Sequence, residues 1–231
     1  MTKNHSRGFT LIELLVVIAV ITILFSIGYP ALISALERAK VTKDMSNLRQ
    51  IGIATQTYMN DNDGTLPGST TVIWMSQLNP KYASAWGVFQ SPFDVRGRSE
   101  AGDATTPVSY GINANVYRGT PPVPISASQI TNPTVFIVFA AAQASGIAVT
   151  FQGVATTGAP GVEGDVGGTP AKSNPGGTAI GGTHSSRVKI NALFADSHVE
   201  NMSWSLFIAN TNNPPTDPCG AQRWNPTATC P

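Results

Sequence analysis

A single carboxylate lies inside a long apolar segment near the start of the chain. Glu13 is the one charged residue from Phe9 to Tyr29, and Arg7 and Gly8 stand directly before that segment. A run of about 20 apolar residues is long enough to cross a bilayer as a helix. A carboxylate within such a helix is costly without a partner, so it marks a candidate functional residue. The alternative is an ordinary membrane anchor in which the acid is incidental.

The position of Gly8 distinguishes this segment from a secretory signal peptide. A secretory signal has a shorter apolar core of roughly 7–15 residues, and its small-residue cleavage site follows that core. Here the glycine precedes the apolar run. Cleavage at Gly8 would remove a short basic leader, residues 1–8, and would leave the hydrophobic segment in the mature protein.

The sequence from Gly8 to Ile18, GFTLIELLVVI, resembles the N-terminal motif of the type IV pilin and type II secretion pseudopilin superfamily. The resemblance implies that a membrane prepilin peptidase cuts between Gly8 and Phe9 and that the new Phe9 amine is N-methylated. It also implies that Glu13 acts in assembly by pairing with the Phe9 ammonium of a neighbouring subunit. A filament that buries apolar helices against one another needs such a partner for a buried carboxylate.

Charge and composition limit the classes of function. The 231 residues carry a net charge of +1, and 12% of them are charged, which does not indicate a nucleic acid or an acidic substrate as partner. Lys3, His5 and Arg7 precede the apolar segment, so the positive-inside rule places the N-terminus in the cytoplasm and the rest of the chain outside. The sequence has no nucleophile elbow and no pair of catalytic carboxylates, and we expect a protein that is not an enzyme.

One long helix is expected over residues 9–62. Its first part, residues 9–29, is apolar on all sides, as is typical of a helix buried in lipid or in a filament core. Pro30, beside Gly28, predicts a weak turn, because proline removes one hydrogen bond and collides with the carbonyl four residues before it. The weak turn is either a static kink or, as the resemblance implies, a segment that stretches during assembly.

The second part of this helix, residues 30–62, is predicted to be amphipathic and to pack on a globular head. Its apolar residues recur mostly at intervals of three or four, as do Ile33, Leu36, Val41, Met45, Leu48, Ile51, Thr55 and Tyr58. The charged residues fall at other positions and are expected on the solvent side: Glu37, Arg38, Lys40, Lys43, Asp44 and Arg49.

The remaining residues, 63–231, predict a loop-rich head built on a small antiparallel β-sheet, so the fold class is α+β. The segment 134–140 is continuously apolar and predicts a strand buried on both faces. Residues 147–151 are expected to pair with it. Residues 187–194 and 198–202 predict a hairpin with its turn at Ala195-Asp196-Ser197.

A glycine-rich segment and a pair of cysteines occupy the last third of the chain. Residues 153–183 contain ten glycines and almost no large apolar residue, so we expect a surface loop. Cys219 and Cys230 are the two cysteines. With the head outside the cytoplasm they predict a disulfide that closes the loop 219–230, and two free thiols are the alternative.

The head also resembles a prepilin-like branch of the superfamily that is abundant in Planctomycetes and Verrucomicrobia. Four local matches carry this resemblance: YMNDNDGTLP at 58–67, SYGIN at 109–113, Asn132-Pro133, and His184 followed by NALFADSHV at 191–199. The branch commonly has a His, nine residues and then Asp-Gly. Here eleven residues separate His184 from Asp196, and Ser197 replaces the glycine. The segment 89–94 resembles a Cys-Pro-x-Asp segment of that branch but has lost the cysteine.

Two sets of residues are candidate metal ligands. His184, Asp196 and His198 are of types that bind zinc or a similar metal, and the alternative is a turn aspartate with hydrogen-bonded histidines. Asp61 and Asp63 precede a glycine as in the first third of a calcium loop, but the glutamate that should follow is missing. A plain turn is the alternative there, and we expect no resident cofactor.

Two functions therefore remain open from the sequence. The first is a structural subunit of a pilus or secretion pseudopilus, held in the bacterial inner membrane with its head in the periplasm. Its partners would be copies of itself, related pilins, a prepilin peptidase and an inner-membrane assembly platform. The second is a membrane-tethered binding module with an extracytoplasmic head that does not polymerise. Glu13 favours the first, because a simple tether has no use for an acid inside the membrane.

Overall fold

The computed structural model describes residues 10–68, 74–94, 109–119, 123–141, 150–151, 182–186, 188–208 and 219–230. Its helices are α1 (Leu11–Asp61), α2 (Trp74–Leu78), α3 (Trp204–Ile208) and α4 (Ala221–Trp224). Its strands are β1 (Tyr110–Asn113), β2 (Tyr117–Arg118), β3 (Val123–Pro124), β4 (Ile137–Ala141), β5 (Thr150–Phe151), β6 (Lys189–Phe194) and β7 (Val199–Ser203). The predicted α+β class is confirmed. Nearly all of the glycine-rich segment 153–183 lies outside the described residues.

The chain divides into two compact units, and the division falls within α1, between Ala39 and Lys40. In the first unit its apolar side chains are exposed, and this includes Ile33 and Leu36, which are 48% and 51% exposed. The prediction that these two residues lie on a buried stripe is therefore wrong for the single chain. Burial along α1 is confined to positions from Asp44 onwards, where the helix packs within the second unit.

Helix α1 ends at Asn60-Asp61-Asn62-Asp63-Gly64, a run of residue types that acts as a helix stop signal. Asp63 and Gly64 have φ angles of 51° and 73°, a left-handed conformation that glycine adopts without strain. The Gly64 N–H donates to the carbonyl of Met59 at 2.8 Å, and the side chain of Asn62 donates to the carbonyl of Tyr58 at 2.7 Å. These bonds satisfy carbonyls of the last helical turn and turn the chain away from the helix.

The main sheet has five strands in the order β5-β1-β4-β6-β7. The hairpin of β6 and β7 is confirmed, with Ala195–Ser197 at its turn. The prediction that the segment ending at Phe151 pairs with β4 is wrong. Both edges of β4 are taken by β1 and β6, and β5 lies instead beside β1 in parallel orientation. The sheet is thus antiparallel except at this last pair.

The hydrophobic core lies between the buried side of α1, the sheet and the short helices. Aromatic residues form part of this core: Trp74 is buried, and its ring lies 5.6 Å from that of Phe89 and 4.8 Å from that of Phe139. Leu48 and Ile51 of α1 are fully buried in the same cluster. At Gly52 the helix comes so close to β6 that an added Cβ would lie 3.1 Å from the side chain of Leu193.

Candidate functional site

Glu13 lies in the first turn of α1, where its carboxylate caps its own helix. The backbone N–H and the hydroxyl of Thr10 donate to Glu13 Oε2 at 2.9 and 2.8 Å, and the Glu13 N–H donates back to Thr10 Oγ1 at 3.3 Å. This reciprocal arrangement is a capping box, which satisfies backbone donors at a helix start. In the single chain the acid thus bonds within its own first turn. Gly8 and Phe9 lie outside the described residues.

The part of α1 that follows Glu13 presents apolar side chains on all sides. Large exposed residues extend from Leu11 to Leu36, and most are at least half exposed. By length and composition α1 is the helix that could cross a membrane in the described part of the chain. Pro30 lies inside α1, and the helix continues through it. Gly28 has open space around its Cα, with no atom within 4 Å of an added Cβ.

Asp44 forms the centre of a second polar site, which the sequence reasoning missed. It is 0% exposed, although its charge led us to predict it on the solvent side of α1. Its position agrees with the helical period, because Asp44, Leu48 and Ile51 are spaced by four and three residues and share one face. Spacing was therefore the better guide to its burial than charge.

Three segments of the head donate hydrogen bonds to this carboxylate. The hydroxyls of Ser91 and Tyr110 donate to Oδ1, each at 2.5 Å, and Asn191 Nδ2 donates to Oδ2 at 2.8 Å. Burial raises the pKa of Asp44, and these three hydrogen bonds oppose the rise. Burial, followed by the charge of Asp44, raises the pKa of Tyr110 well above its ordinary value, so its hydroxyl stays protonated and donates. Asp44 thereby joins α1 to β1, to β6 and to the segment before β1.

The network continues from Asn191 to a buried histidine. Asn191 and Asn201 are direct cross-strand partners in β6 and β7, and Asn201 Nδ2 lies 2.7 Å from Asn191 Oδ1. The same Asn201 nitrogen lies 2.6 Å from Nε2 of His184, which is 4% exposed. The imidazole of His184 stacks on Phe93 with 5.2 Å between the ring centroids. Tyr110, Asn191 and His184 belong to local motifs of the head that carry the second resemblance, and these motifs were the signal in the sequence. Ser91 lies in the segment 89–94, which departs from that branch.

Comparison with known proteins decides the class of the N-terminal segment. Residues 3–29 match the family described as "Prokaryotic N-terminal methylation motif". The chain is 38% identical over 59 residues to the type IV major pilin protein PilA of Myxococcus xanthus, and 36% identical over 62 residues to the type II secretion system core protein G of Pseudomonas aeruginosa. These matches support the resemblance of the N-terminal segment to the type IV pilin and type II secretion pseudopilin superfamily.

The similarity to these pilin-type relatives covers a limited part of each chain. The match to PilA spans 26% of this chain and 27% of the relative, and the match to protein G spans 27% and 44%. The chain therefore spans less than half of the length of the curated relatives it matches. No solved structure matches the chain significantly.

The first set of candidate metal ligands is divided between two places in the structure. His184 is buried, where its Nδ1 lies 3.0 Å from Thr183 Oγ1. Asp196 and His198 lie at the exposed β6–β7 turn, where Asp196 Oδ1 is 2.5 Å from His198 Nδ1 and the imidazole stacks on Phe194. Within the described ranges no group of three or more His, Cys, Asp or Glu side chains could hold a metal ion.

The candidate calcium residues lie beside a lysine. Lys81 Nζ is 2.8 Å from Asp61 Oδ2, and the hydroxyl of Tyr82 donates to the same oxygen at 2.9 Å. These two hydrogen bonds lower the pKa of the Asp61 carboxyl. Asp63 forms part of the turn that ends α1. The geometry is therefore that of a turn whose carboxylate is neutralised by an ammonium group.

The predicted disulfide between Cys219 and Cys230 is present. The segment that it closes is held to the sheet through the carbonyl of Trp224, which accepts hydrogen bonds from Asn113 Nδ2 at 3.2 Å and from Asn115 Nδ2 at 2.8 Å. The Trp224 ring is buried. The SYGIN motif thus has a double role, because Tyr110 binds the Asp44 network while Asn113 holds the C-terminal segment.

Proposed function

We propose that this chain is a structural subunit of a pilus or of a secretion pseudopilus, and not an enzyme. The observation that carries the proposal is the methylation motif at residues 3–29, which spans the Gly8–Phe9 junction and includes Glu13. The two relatives, a type IV major pilin and a type II secretion core protein, support the same class. The exposed apolar part of α1 supports it as well, since such a surface needs lipid or other helices around it.

The proposed sequence of events begins in the bacterial inner membrane. The chain is inserted with its basic N-terminus in the cytoplasm and its head in the periplasm. A prepilin peptidase then cleaves after Gly8, and the Phe9 amine is N-methylated. An inner-membrane assembly platform adds the subunit to a filament made of copies of this chain and related pilins.

Glu13 is proposed to change partners during assembly. Its carboxylate bonds to Thr10 at the start of its own helix in the single chain. In a filament the surrounding helices exclude water, and an unpaired carboxylate there is strongly disfavoured. The Phe9 ammonium of a neighbouring subunit would supply the opposite charge, so the pairing would both neutralise the acid and set the axial position of adjacent subunits.

The experiment that tests this proposal compares Glu13→Ala with the unaltered chain in the native host. Sheared surface filaments and membrane fractions are probed for the subunit. We expect Glu13→Ala to remain in the membrane and to be lost from filaments. Glu200→Ala, which removes an exposed carboxylate of the head, is the matched control and should assemble normally.

Two results would contradict parts of the proposal. Filaments that contain Glu13→Ala at the wild-type level would show that the pairing mechanism is wrong. Failure to find the unaltered chain in any filament or pseudopilus fraction would instead favour the membrane-tethered binding module. Cryo-electron microscopy of the sheared filaments would then establish whether this chain forms their body.

A further inference from the structure

Four side chains form a hydrogen-bonded series from α1 to the buried histidine: Asp44, Asn191, Asn201 and His184. Each contact in the series has a defined donor and acceptor. An amide nitrogen can only donate, and Asn201 Nδ2 contacts both Asn191 Oδ1 and His184 Nε2. His184 Nε2 must therefore be an unprotonated acceptor. Its other nitrogen, Nδ1, then carries the proton and can donate to Thr183 Oγ1 at 3.0 Å.

The donor and acceptor roles can be assigned in the same way at Asp44 on α1. Because Asn191 Oδ1 accepts from Asn201, the Asn191 amide nitrogen faces Asp44 and donates to its Oδ2 at 2.8 Å. An ionised carboxylate accepts this bond together with those from Ser91 and Tyr110. The arrangement therefore corresponds to a charged Asp44 and a neutral His184.

Protonation of His184 at Nε2 is incompatible with this arrangement of donors and acceptors, because the Nε2–H group and the Asn201 amide nitrogen would then be two donors that face each other. Asn201 would have to turn its amide so that Oδ1 accepts from the imidazolium. That oxygen would oppose Asn191 Oδ1, so Asn191 would have to turn as well. The Asn191 oxygen would then face Asp44 Oδ2, which requires a proton on the carboxyl group.

We propose that Asn191 and Asn201 form a two-state hydrogen-bond relay that couples the protonation of Asp44 on α1 to that of His184 in the head. In the high-pH state Asp44 is ionised and His184 carries its proton on Nδ1. In the low-pH state two protons have entered from solvent, one on Asp44 Oδ2 and one on His184 Nε2, and both amides are turned. Acid thus removes the buried negative charge from the helix and places a positive charge in the segment 182–186.

Titratable groups from several elements surround the relay. Among the described residues Tyr110 of β1 is the titratable group that contacts Asp44 directly, and it remains protonated. A positive charge on His184 would lower the pKa of Asp44, so this electrostatic effect opposes the uptake of both protons, and the relay requires the hydrogen-bond order to outweigh it. Asp94 follows Phe93, on which the imidazole stacks, and it accepts a hydrogen bond from Ser109 at 2.6 Å. On α1 itself the nearest charged residues, Lys40 and Lys43, are exposed.

The relay is independent of filament assembly, so it can be tested on the full chain in detergent micelles. Long-range ¹H–¹⁵N NMR correlations report which ring nitrogen of each histidine carries the proton. The chain has three histidines, so the signals are assigned with His5→Gln and His198→Gln. Near pH 8 we expect His184 to be protonated on Nδ1, and protonation on Nε2 would overturn the relay.

The decisive variant is Asp44→Asn, which imitates the protonated acid. Its amide nitrogen would donate to Asn191 Oδ1, both amides would turn, and His184 would shift its proton from Nδ1 to Nε2 at unchanged pH. Asp61→Asn is the matched control, because it makes the same change at an exposed carboxylate that bonds to Lys81 and Tyr82. Retention of the Nδ1 form in Asp44→Asn, or an equal shift in Asp61→Asn, would overturn the relay.

If Asp44→Asn does not fold, an acid titration of the unaltered chain gives the answer. We expect the side-chain amide signals of Asn191 and Asn201 to shift together with the ring signals of His184. Amide signals that remain fixed while His184 takes up its proton would also overturn the relay.

Discussion

The hydroxyl of Tyr110 donates a hydrogen bond of 2.5 Å to Asp44 across 66 positions of sequence, and so ties β1 to the long helix. Both residues are 0% exposed. Water cannot replace a lost partner at such a site, so the contact makes a larger contribution than a surface bond of the same length. The attachment of the head to α1 thus depends on a polar group placed inside an otherwise apolar interface.

Tyr110→Phe is expected to lower the free energy of unfolding by about 1–3 kcal/mol, because it leaves a buried carboxylate with one donor fewer. Urea unfolding of the full chain in detergent micelles, followed by tryptophan fluorescence, measures this change. Tyr82→Phe is the matched control. Its hydroxyl also bonds a carboxylate, that of Asp61, but at an exposed position where water can replace it. Equal losses in the two variants would contradict the role of burial.

The raised pKa of Asp44 predicts the direction of a pH effect. Burial raises the pKa above the ordinary value of 3.8, so the folded chain binds this proton more tightly than the unfolded chain does. Stability relative to Asp44→Asn should therefore fall as the pH rises from 3.8 through the raised folded value, and should be constant above it. Urea unfolding of both proteins over a pH series measures this difference. A difference in favour of the wild type that grows with pH would contradict the prediction.

The long helix and the β6–β7 hairpin were predictable because their signals are local. Apolar spacing and the Asn60–Gly64 stop signal define α1, and a turn flanked by two apolar runs defines the hairpin. The partner of β5 was not predictable from such signals. The partner of a two-residue strand depends on which sheet edge is left unpaired by the other strands. Here β1 pairs with β4 along one edge and with β5 along the other.

The Asp44 network was missed for a related reason. Its donors Ser91, Tyr110 and Asn191 lie 47, 66 and 147 positions from Asp44, so no short sequence window contains the acid together with one of its donors. A charged residue on a helix is usually solvated, and this expectation outweighed the helical spacing that placed Asp44 with Leu48. Polar residues within the head motifs were the available clue, since buried polar side chains need partners.

The close approach of α1 to β6 predicts that Gly52→Val destabilises the head by about 1–3 kcal/mol through overpacking. An added Cβ would already lie 3.1 Å from Leu193 and 3.6 Å from the Ser197 Cβ. Without this contact, the replacement would favour the helix, because glycine is a poor helix former. The sign of the change in urea unfolding therefore tests the packing. Ile53→Ala, at the exposed next position, should change stability by less than about 0.5 kcal/mol.

Removal of the disulfide is expected to loosen the C-terminal segment locally. Replacing Cys219 and Cys230 with serine opens a loop whose closure contributes about 2–3 kcal/mol in chain entropy. The Trp224 carbonyl keeps its bonds from Asn113 and Asn115, so the segment should remain docked for much of the time. Hydrogen exchange should become faster over residues 219–230 and stay unchanged in β6. Equal acceleration in β6 would show that the disulfide supports the whole head.

The proposed cleavage after Gly8 predicts that Gly8→Val leaves residues 1–8 on the chain, since valine adds a branched side chain directly before the proposed cut. Mass spectrometry of the purified membrane form should find the unaltered chain beginning at Phe9 with one added methyl group. Gly28→Val is the matched control, because it places the same side chain in the apolar run where nothing lies within 4 Å of it. It should be processed normally. A Gly8→Val chain that still begins at Phe9 would contradict the proposed junction, and unprocessed wild-type protein would contradict processing itself.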